Sequence, residues 1–348
     1  MTEAPRRLRA IAGTVEARLA DILDTERKTW VRLDPALDEP LGDLAALVLG
    51  GGKRIRPAYC HWGWVLAGGD PGAETNVQAG CALELLHAFA LAHDDVMDGS
   101  LTRRGAPTVW HRFVTRHDER RWGGEARRFG EAAAVLVGDM AMVLADRTLG
   151  AVSLEVRHIW DSLRTELNMG QYLDVVRTVS GPSSADEARM IVRHKTAGYT
   201  IVRPLQLGAA LAGRTDLNEA LERHGIPLGT AFQLRDDVLG AFGDPDTTGK
   251  PVGEDLREGK PTVLLARARE SATSVQIGVL DRIGDGISHA DVAAIQQVMI
   301  ETGALAATEA EIDALFAESV DSIEALPDVG DARSALRELA HFVVDRES

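Results

Sequence analysis

An all-α, single-domain chain is predicted by the residue types, by their spacing and by the punctuation between segments. Ala, Leu, Glu and Arg dominate, and all four favour helix. β-branched runs are short, and apolar residues recur at three and four rather than at two, the period of a helix face. The breaks fall in Gly/Pro/Asp-rich text. Taken in order, the first helix (6–30) follows directly on charged, amphipathic N-terminal text. The second (41–49) ends at the triplet Gly50 to Gly52. The third (54–68) carries Pro57 in its first turn, where proline is tolerated, and stops at Gly68-Gly69-Asp70-Pro71-Gly72. The fourth (73–99) contains the apolar run Leu85 to Ala92 and ends in acidic residues. Segments 105–117 and 129–150 surround the polar, Arg/Trp-rich stretch Arg112 to Arg128, which is expected to be a solvated surface loop or lid. Segment 153–178 closes before Ser180-Gly181-Pro182, and 184–213 and 216–242 follow, the latter ending at Gly243-Asp244-Pro245-Asp246. Segments 258–272, 288–303, 306–325 and 329–346 complete the series. No fixed repeat or low-complexity linker divides it.

Composition narrows the function. The 348 residues include 38 Lys+Arg and 53 Asp+Glu, for a formal charge of −15. An acidic chain with a pI of about 5.1 lacks the basic face of a nucleic-acid binder. Hydrophobic residues at 45% are enough for a large core and exclude a disordered chain. The two cysteines, Cys60 and Cys81, lie in apolar helical text without a CxxC or Cys/His pattern, which suits a reducing cytoplasm. No secretory h-region is visible. The longest apolar stretch, Ala132 to Val143, is broken by Asp139 and falls short of the ~20 residues of a membrane span.

Charge is concentrated where chemistry would need it. The fourth segment ends in HDDVMD, so Asp94 and Asp98 (i, i+4) share a face and Asp95 lies beside them. Three such carboxylates repel one another. They are tolerable as a wet acidic helix end, or around a divalent cation such as Mg²⁺, which takes one or two carboxylates together with phosphate oxygens and water. The greasy text preceding them favours the second reading. Another pair, Asp236 and Asp237, ends a second apolar helix 142 residues after the first, and facing helices of a bundle commonly build a metal site from inward carboxylates. Near both are basic residues. GGGKRIRP supplies Lys53, Arg54 and Arg56 behind a Gly triplet, and Arg103 and Arg104 follow the first acidic motif. Gly-rich backbone at a helix start with Lys and Arg beside it can hold an anion, although the spacing is not that of a P-loop. Mutual neutralisation of neighbouring charges is the plainer account of any one of these clusters. Their repetition argues against it. His87 lies seven residues before Asp94, two turns below it on the same face, where it is either a core histidine or a donor to an anion. Taken alone, Lys195 reads as a surface residue.

Together these residues resemble the trans-isoprenyl diphosphate synthase (polyprenyl synthetase) family, closest to its short-chain geranylgeranyl and farnesyl members. The motifs that carry the resemblance are, in order, GGKRIRP, ELLHAFALAHDDVMDGSLTRRGAPT, the VGD around Asp139, MGQYLDV, HKTAGYT, and FQLRDDVLGAFGD with TGK and GKPT. The resemblance implies a helical bundle around a deep central cavity and, across a two-fold axis, a homodimer. It implies Mg²⁺ held by Asp94, Asp95 and Asp98 and by Asp236 and Asp237. It places Arg103, Lys195, Thr196, Gln233, Lys250 and Lys260 on the allylic diphosphate, and Lys53, Arg56, His87 and Arg104 on isopentenyl diphosphate. Gln171 and Asp174 would support the site from a neighbouring helix. The sequence departs from the pattern at Gly240, where many members have Asp.

The implied reaction is dissociative. Preorganised cations stabilise the departing diphosphate. The allylic cation adds to the double bond of isopentenyl diphosphate and then loses a proton, with water kept out. Leu85, Leu86, Phe89 and Ala90 would wall the cavity, and in the family bulk at Phe89 and Ala90 acts as a floor for the growing chain. One aromatic with a small neighbour resembles geranylgeranyl synthases; farnesyl and longer-chain products are the alternatives. A terpene cyclase would share the first motif, but Asp236-Asp237-Val238-Leu239-Gly240 does not provide its second one. A noncatalytic partner subunit would have lost ligands that are all present here.

Overall fold

The computed structural model describes residues 5–180, 184–243, 253–284 and 286–344. The expected helices are there, with instructive differences at their ends. Helices α1 (Arg6–Val31), α2 (Asp38–Leu49), α3 (Ile55–Leu66) and α4 (Glu74–Met97) come first. Asp98, expected inside the fourth helix, is its C-cap. Two antiparallel two-residue strands, Thr102–Arg103 and Ala106–Pro107, follow. They turn through Arg104 and Gly105, both at positive φ (52° and 74°). Residues 105–108 are therefore hairpin rather than helix, and α5 (Val109–Glu119) starts later than expected.

The stretch Arg112–Arg128 is not a loop. Most of it is helix, running to Glu119 in α5 and resuming at α6 (Ala126–Leu149). Two of its arginines turn inward, Arg112 (3.3 Å) and Arg116 both pairing with the buried Asp43 of α2, while Arg120, Arg121, Arg127 and Arg128 stay exposed as expected. The Asp43 anchor holds the helical part against α2, and residues 120–125 between the two helices are the exposed turn.

Then come α7 (Leu154–Ser180) and α8 (Ala185–Ile191), the latter opened by a Ser184/Glu187 capping box. A π-helical segment, Val192–Val202, runs straight into α9 (Arg203–Leu211). Its wide turns need slim neighbours. A Cβ on Gly170 of α7 would sit 3.0 Å from the Lys195 backbone, and one on Gly229 would sit 2.4 Å from Cα of Ala197. Gly229 belongs to α10 (Asn218–Phe242). Beyond it, the helix expected over 258–272 starts later, as α12 (Val263–Ser271), and is preceded by an unexpected short α11 (Glu254–Glu258) that ends at Gly259 at φ 70°. A short α13 (Ser274–Leu280) was not anticipated. Helices α14 (His289–Glu301), α15 (Ala304–Ser322) and α16 (Ala332–Val344) close the chain.

Two apolar cores result. One joins α3, α9 and α10 to α11–α16, and the other joins α1, α2, α4, α6 and α7. Helices α3 and α9 cross at van der Waals distance because Gly63 and Gly208 face carbonyls there. A Cβ would lie 2.1 Å from the Leu205 oxygen or 1.9 Å from that of Cys60. Among the described residues no helix is long and apolar enough to cross a membrane.

Candidate active site

A cavity of about 840 Å³ opens between the two cores, lined from the start of α3 and from α4, α7, the π segment and α10. Each acidic pair divides in the same way. Asp94 and Asp236 line the cavity, while Asp95 and Asp237 are buried. Asp95 is held by Arg103, whose Nε donates at 2.8 Å. Asp237 accepts from Gln233 Nε2 at 2.9 Å, and Gln233 Oε1 in turn accepts from the Thr196 hydroxyl at 2.8 Å. Asp94 receives Gln171 Nε2 at 2.6 Å and has Lys195 at 3.8 Å. Lys195 is also paired with Asp174. Gln171 and Asp174 thus brace the site directly, and the π segment delivers Lys195 and Thr196 into it together.

Carboxylates crowded in low dielectric resist ionisation. Burial, only partly offset by Arg103 and reinforced by Asp94, raises the Asp95 pKa. Desolvation with Asp94 close by pushes Asp98 up to about 6. Asp237 is pushed up to about 8 by burial, against the Gln233 bond and with Asp255 and Asp236 adding repulsion. Each shift is the signature of a site that a cation would relieve. The donors are hard oxygens, with Asp94 and Asp236 open to the cavity and Asp95 Oδ2 buried without a hydrogen-bond partner. Among the described residues no three acidic, imidazole or thiolate groups form a cage by themselves. A carboxylate set completed by a ligand's phosphate oxygens is the kind that Mg²⁺ accepts.

The basic wall gathers Lys53, Arg56, His87, Arg103 and Arg104 on one cavity. Arg104 reaches back to the Gly51 carbonyl, which ties the hairpin to the Gly triplet. Arg54 serves differently. It also lines the cavity, but its buried guanidinium is committed, donating to Glu84 (2.6 Å), Glu16 (3.0 Å) and the Val48 carbonyl (2.7 Å), so it fixes the loop. His87 and Asp94 do share the cavity face, and Phe89 and Ala90 line it as expected. Leu85 and Leu86 do not: both are fully buried in the second core. Successive residues on a helix point 100° apart, so the apolar run could not all face one way.

Lys250 and Asp244 lie outside the described residues. Lys260 is not on the cavity wall; it pairs with Glu258 (2.7 Å) and Asp255 (3.3 Å), close enough to act on the charge of Asp98. Gly240 has a steric explanation. A Cβ there would fall 1.9 Å from Asp255 Oδ2, so the α11 carboxylate fills the place a side chain would take. Asp255, in GEDLREGK, escaped the sequence reading because its helix is five residues long. His93 and Tyr199 also escaped it. The His93 ring meets Phe89 edge-on at 4.7 Å, and Tyr199 lines the cavity beneath Arg56. His93 was legible in HDD; Tyr199 depended on the π turns.

Known proteins resemble the chain in sequence and in fold. The family model for polyprenyl synthetase matches residues 38–302. A (2E,6E)-farnesyl diphosphate synthase of Mycobacterium tuberculosis is 31% identical over 309 residues, covering 85% of this chain and 80% of its own. An octaprenyl diphosphate synthase of Escherichia coli is 33% identical over 306 residues (86% and 88%). Among solved structures, geranylgeranyl pyrophosphate synthase from Corynebacterium glutamicum, complexed with isoprenyl diphosphate and magnesium, superposes with a TM-score of 0.91. It is 38% identical and covers 97% of this chain and 98% of its own. With a family model matching residues 38–302 and relatives 31–38% identical over most of its length, the chain belongs to the polyprenyl synthetase family and is a prenyltransferase, a trans-prenyl diphosphate synthase.

Proposed function

We propose that the chain condenses isopentenyl diphosphate head-to-tail with an allylic diphosphate in a Mg²⁺-dependent reaction, with geranylgeranyl diphosphate as the main product. The carrying observation is one cavity with an anion-binding rim and an apolar depth. Phe89 lies five residues before Asp94, about 7.5 Å along the helix axis, and the Phe89–His93 pair closes that side.

Asp94, Asp98 and Asp236 would hold Mg²⁺, with Asp95 and Asp237 behind them; the metal, when bound, neutralises the leaving diphosphate. Arg103, Lys195, Thr196, Gln233 and Lys250 would orient the allylic diphosphate, with Lys260 tuning the charge at Asp98. Lys53, Arg56, His87 and Arg104 would hold isopentenyl diphosphate beside it. Fixed charges of this kind stabilise the developing diphosphate without reorganising at the moment of bond breaking. The apolar depth excludes water from the allylic cation.

The unit of function is taken to be one domain, working in the cytoplasm, where buried and unbridged Cys60 and Cys81 are at home. A homodimer is supported by the outer face of α6, where Leu136 and Val143 are 63% and 62% exposed, an apolar stripe suited to a second copy.

The test is a product assay with Mg²⁺, labelled isopentenyl diphosphate and dimethylallyl, geranyl or farnesyl diphosphate in parallel. Mainly twenty-carbon product supports the full reading. Fifteen-carbon or longer product keeps the chemistry and moves the floor. No incorporation with any primer, from folded protein, overturns it.

A further inference from the structure

Tyr199 sits in the π segment with its hydroxyl 3.4 Å from His87 Nδ1. The Arg56 guanidinium carbon lies 4.4 Å from its ring centroid, and the residue is 4% exposed. We propose that Tyr199 is a positioning residue that fixes His87 as the neutral tautomer with its proton on Nε2, leaving that N–H to donate to the diphosphate of the isopentenyl substrate. The inference rests on the synthase reading above.

The argument is one of hydrogen-bond inventory. A phenol has one proton to give. Arg56, on the other side of the ring, offers only donors, and its own side-chain bond goes to Thr200 Oγ1 at 3.2 Å. Among the described residues His87 Nδ1 is the partner of the Tyr199 hydroxyl, so the phenolic proton has an acceptor only if Nδ1 is bare. A neutral imidazole with Nδ1 bare carries its hydrogen on Nε2. The charges around His87 enforce neutrality. Burial lowers its pKa well below the ordinary value, and Arg56, Arg104, Arg103 and Arg54 lower it further. Glu84, on the same helix, is neutralised by Arg54. The phenol keeps its proton throughout, since burial raises the Tyr199 pKa to about 12.

A neutral donor here has a use. The rim already presents several fixed cations, and a neutral N–H adds direction without more charge. Its strength also does not change as the pH moves through the ordinary histidine range.

The experiment is ¹⁵N NMR of histidine-labelled protein, with His87→Gln identifying the resonance, for the wild type and Tyr199→Phe. The phenylalanine keeps the ring under Arg56 and removes only the hydroxyl. The expected result is an Nε2–H pattern in the wild type and a mixture of tautomers in the variant. In steady-state assays the variant's KM for isopentenyl diphosphate should rise about three- to ten-fold, the worth of one neutral hydrogen bond, with KM for the allylic substrate unchanged. In a His87→Gln background the same change should have little further effect on KM, as coupling requires. An Nδ1–H pattern in the wild type, or an unchanged tautomer in Tyr199→Phe, overturns the assignment. A wild-type protein inactive with every primer instead removes the synthase reading, and the NMR result stands apart from it.

Discussion

Glu84 shows how an acidic residue can support a basic wall by holding one of its arginines. Its carboxylate and the Arg54 guanidinium are 4% and 3% exposed, and Arg54 also spans to α1 through Glu16 and to α2 through Val48. Removing one member of a buried pair costs ~3–5 kcal/mol because the other charge is left stranded. Glu84→Gln is therefore expected to lower the denaturant midpoint sharply and to weaken isopentenyl diphosphate binding, read as a higher KM. An unchanged midpoint would mean that Arg54 finds another anion. Phe89 makes the complementary point about space. Phe89→Ala should lengthen the product distribution in the primer assay while leaving Mg²⁺ dependence intact. If the distribution stays the same, the floor lies elsewhere on the wall.

The π segment is the element on which the site turns. It places Lys195, Thr196, Tyr199 and Thr200 on the cavity wall, and it does so by packing against Gly170 and Gly229. Gly229→Ala would put a methyl 2.4 Å from Cα of Ala197; overpacking of this kind typically costs ~1–3 kcal/mol. The expected phenotype is a folded protein with a lowered melting temperature and a loss of turnover larger than the stability change explains, because the Thr196–Gln233–Asp237 chain is displaced. Normal turnover would show that the segment is not held by that contact. This element also marks the limit of the sequence. The long amphipathic helices, the two aspartate pairs and the basic motifs were all legible, since each rests on spacing along one helix. Helix type was not, because α and π turns use the same residue types and differ in hydrogen-bond register, which packing selects here. Arg112–Arg128 misled for a related reason. Arg112 and Arg116 look as solvated as the exposed arginines after them until Asp43 arrives from a helix some 70 residues earlier to pair with them. Gly240 likewise read only as a departure from the family pattern, and its contact with Asp255 shows why no side chain fits there.

For the whole molecule, His87, His224 and His61, all with lowered pKa values, make the fold less stable in acid. His224, fully buried and bonded through Nδ1 to Ser319 at 3.0 Å, is lowered to about 4 by desolvation. His61 is lowered to about 4 by the same cause. Depressed histidines leave the unfolded chain binding more protons below its ordinary pKa of about 6.5, so stability is full above that value and is lost as pH falls toward 4. Urea unfolding between pH 7 and 4 should show this decline, and His224→Gln should flatten it. An equal slope in the variant would assign acid lability elsewhere.

The placement of the cavity has a mechanical consequence. Ile55 belongs to one core, Phe89 and Leu167 to the other, and all three line the same space. Whatever fills that space acts as a keystone, since each half of the molecule leans on it. Such a ligand should suppress the opening of both halves rather than of the local wall alone. Hydrogen exchange would register this as slower amide exchange on α10, of the first core, and on α6, of the second, together when an unreactive diphosphate analogue is added with Mg²⁺. Slowing confined to one core would mean that the two halves breathe independently even when the arch is closed.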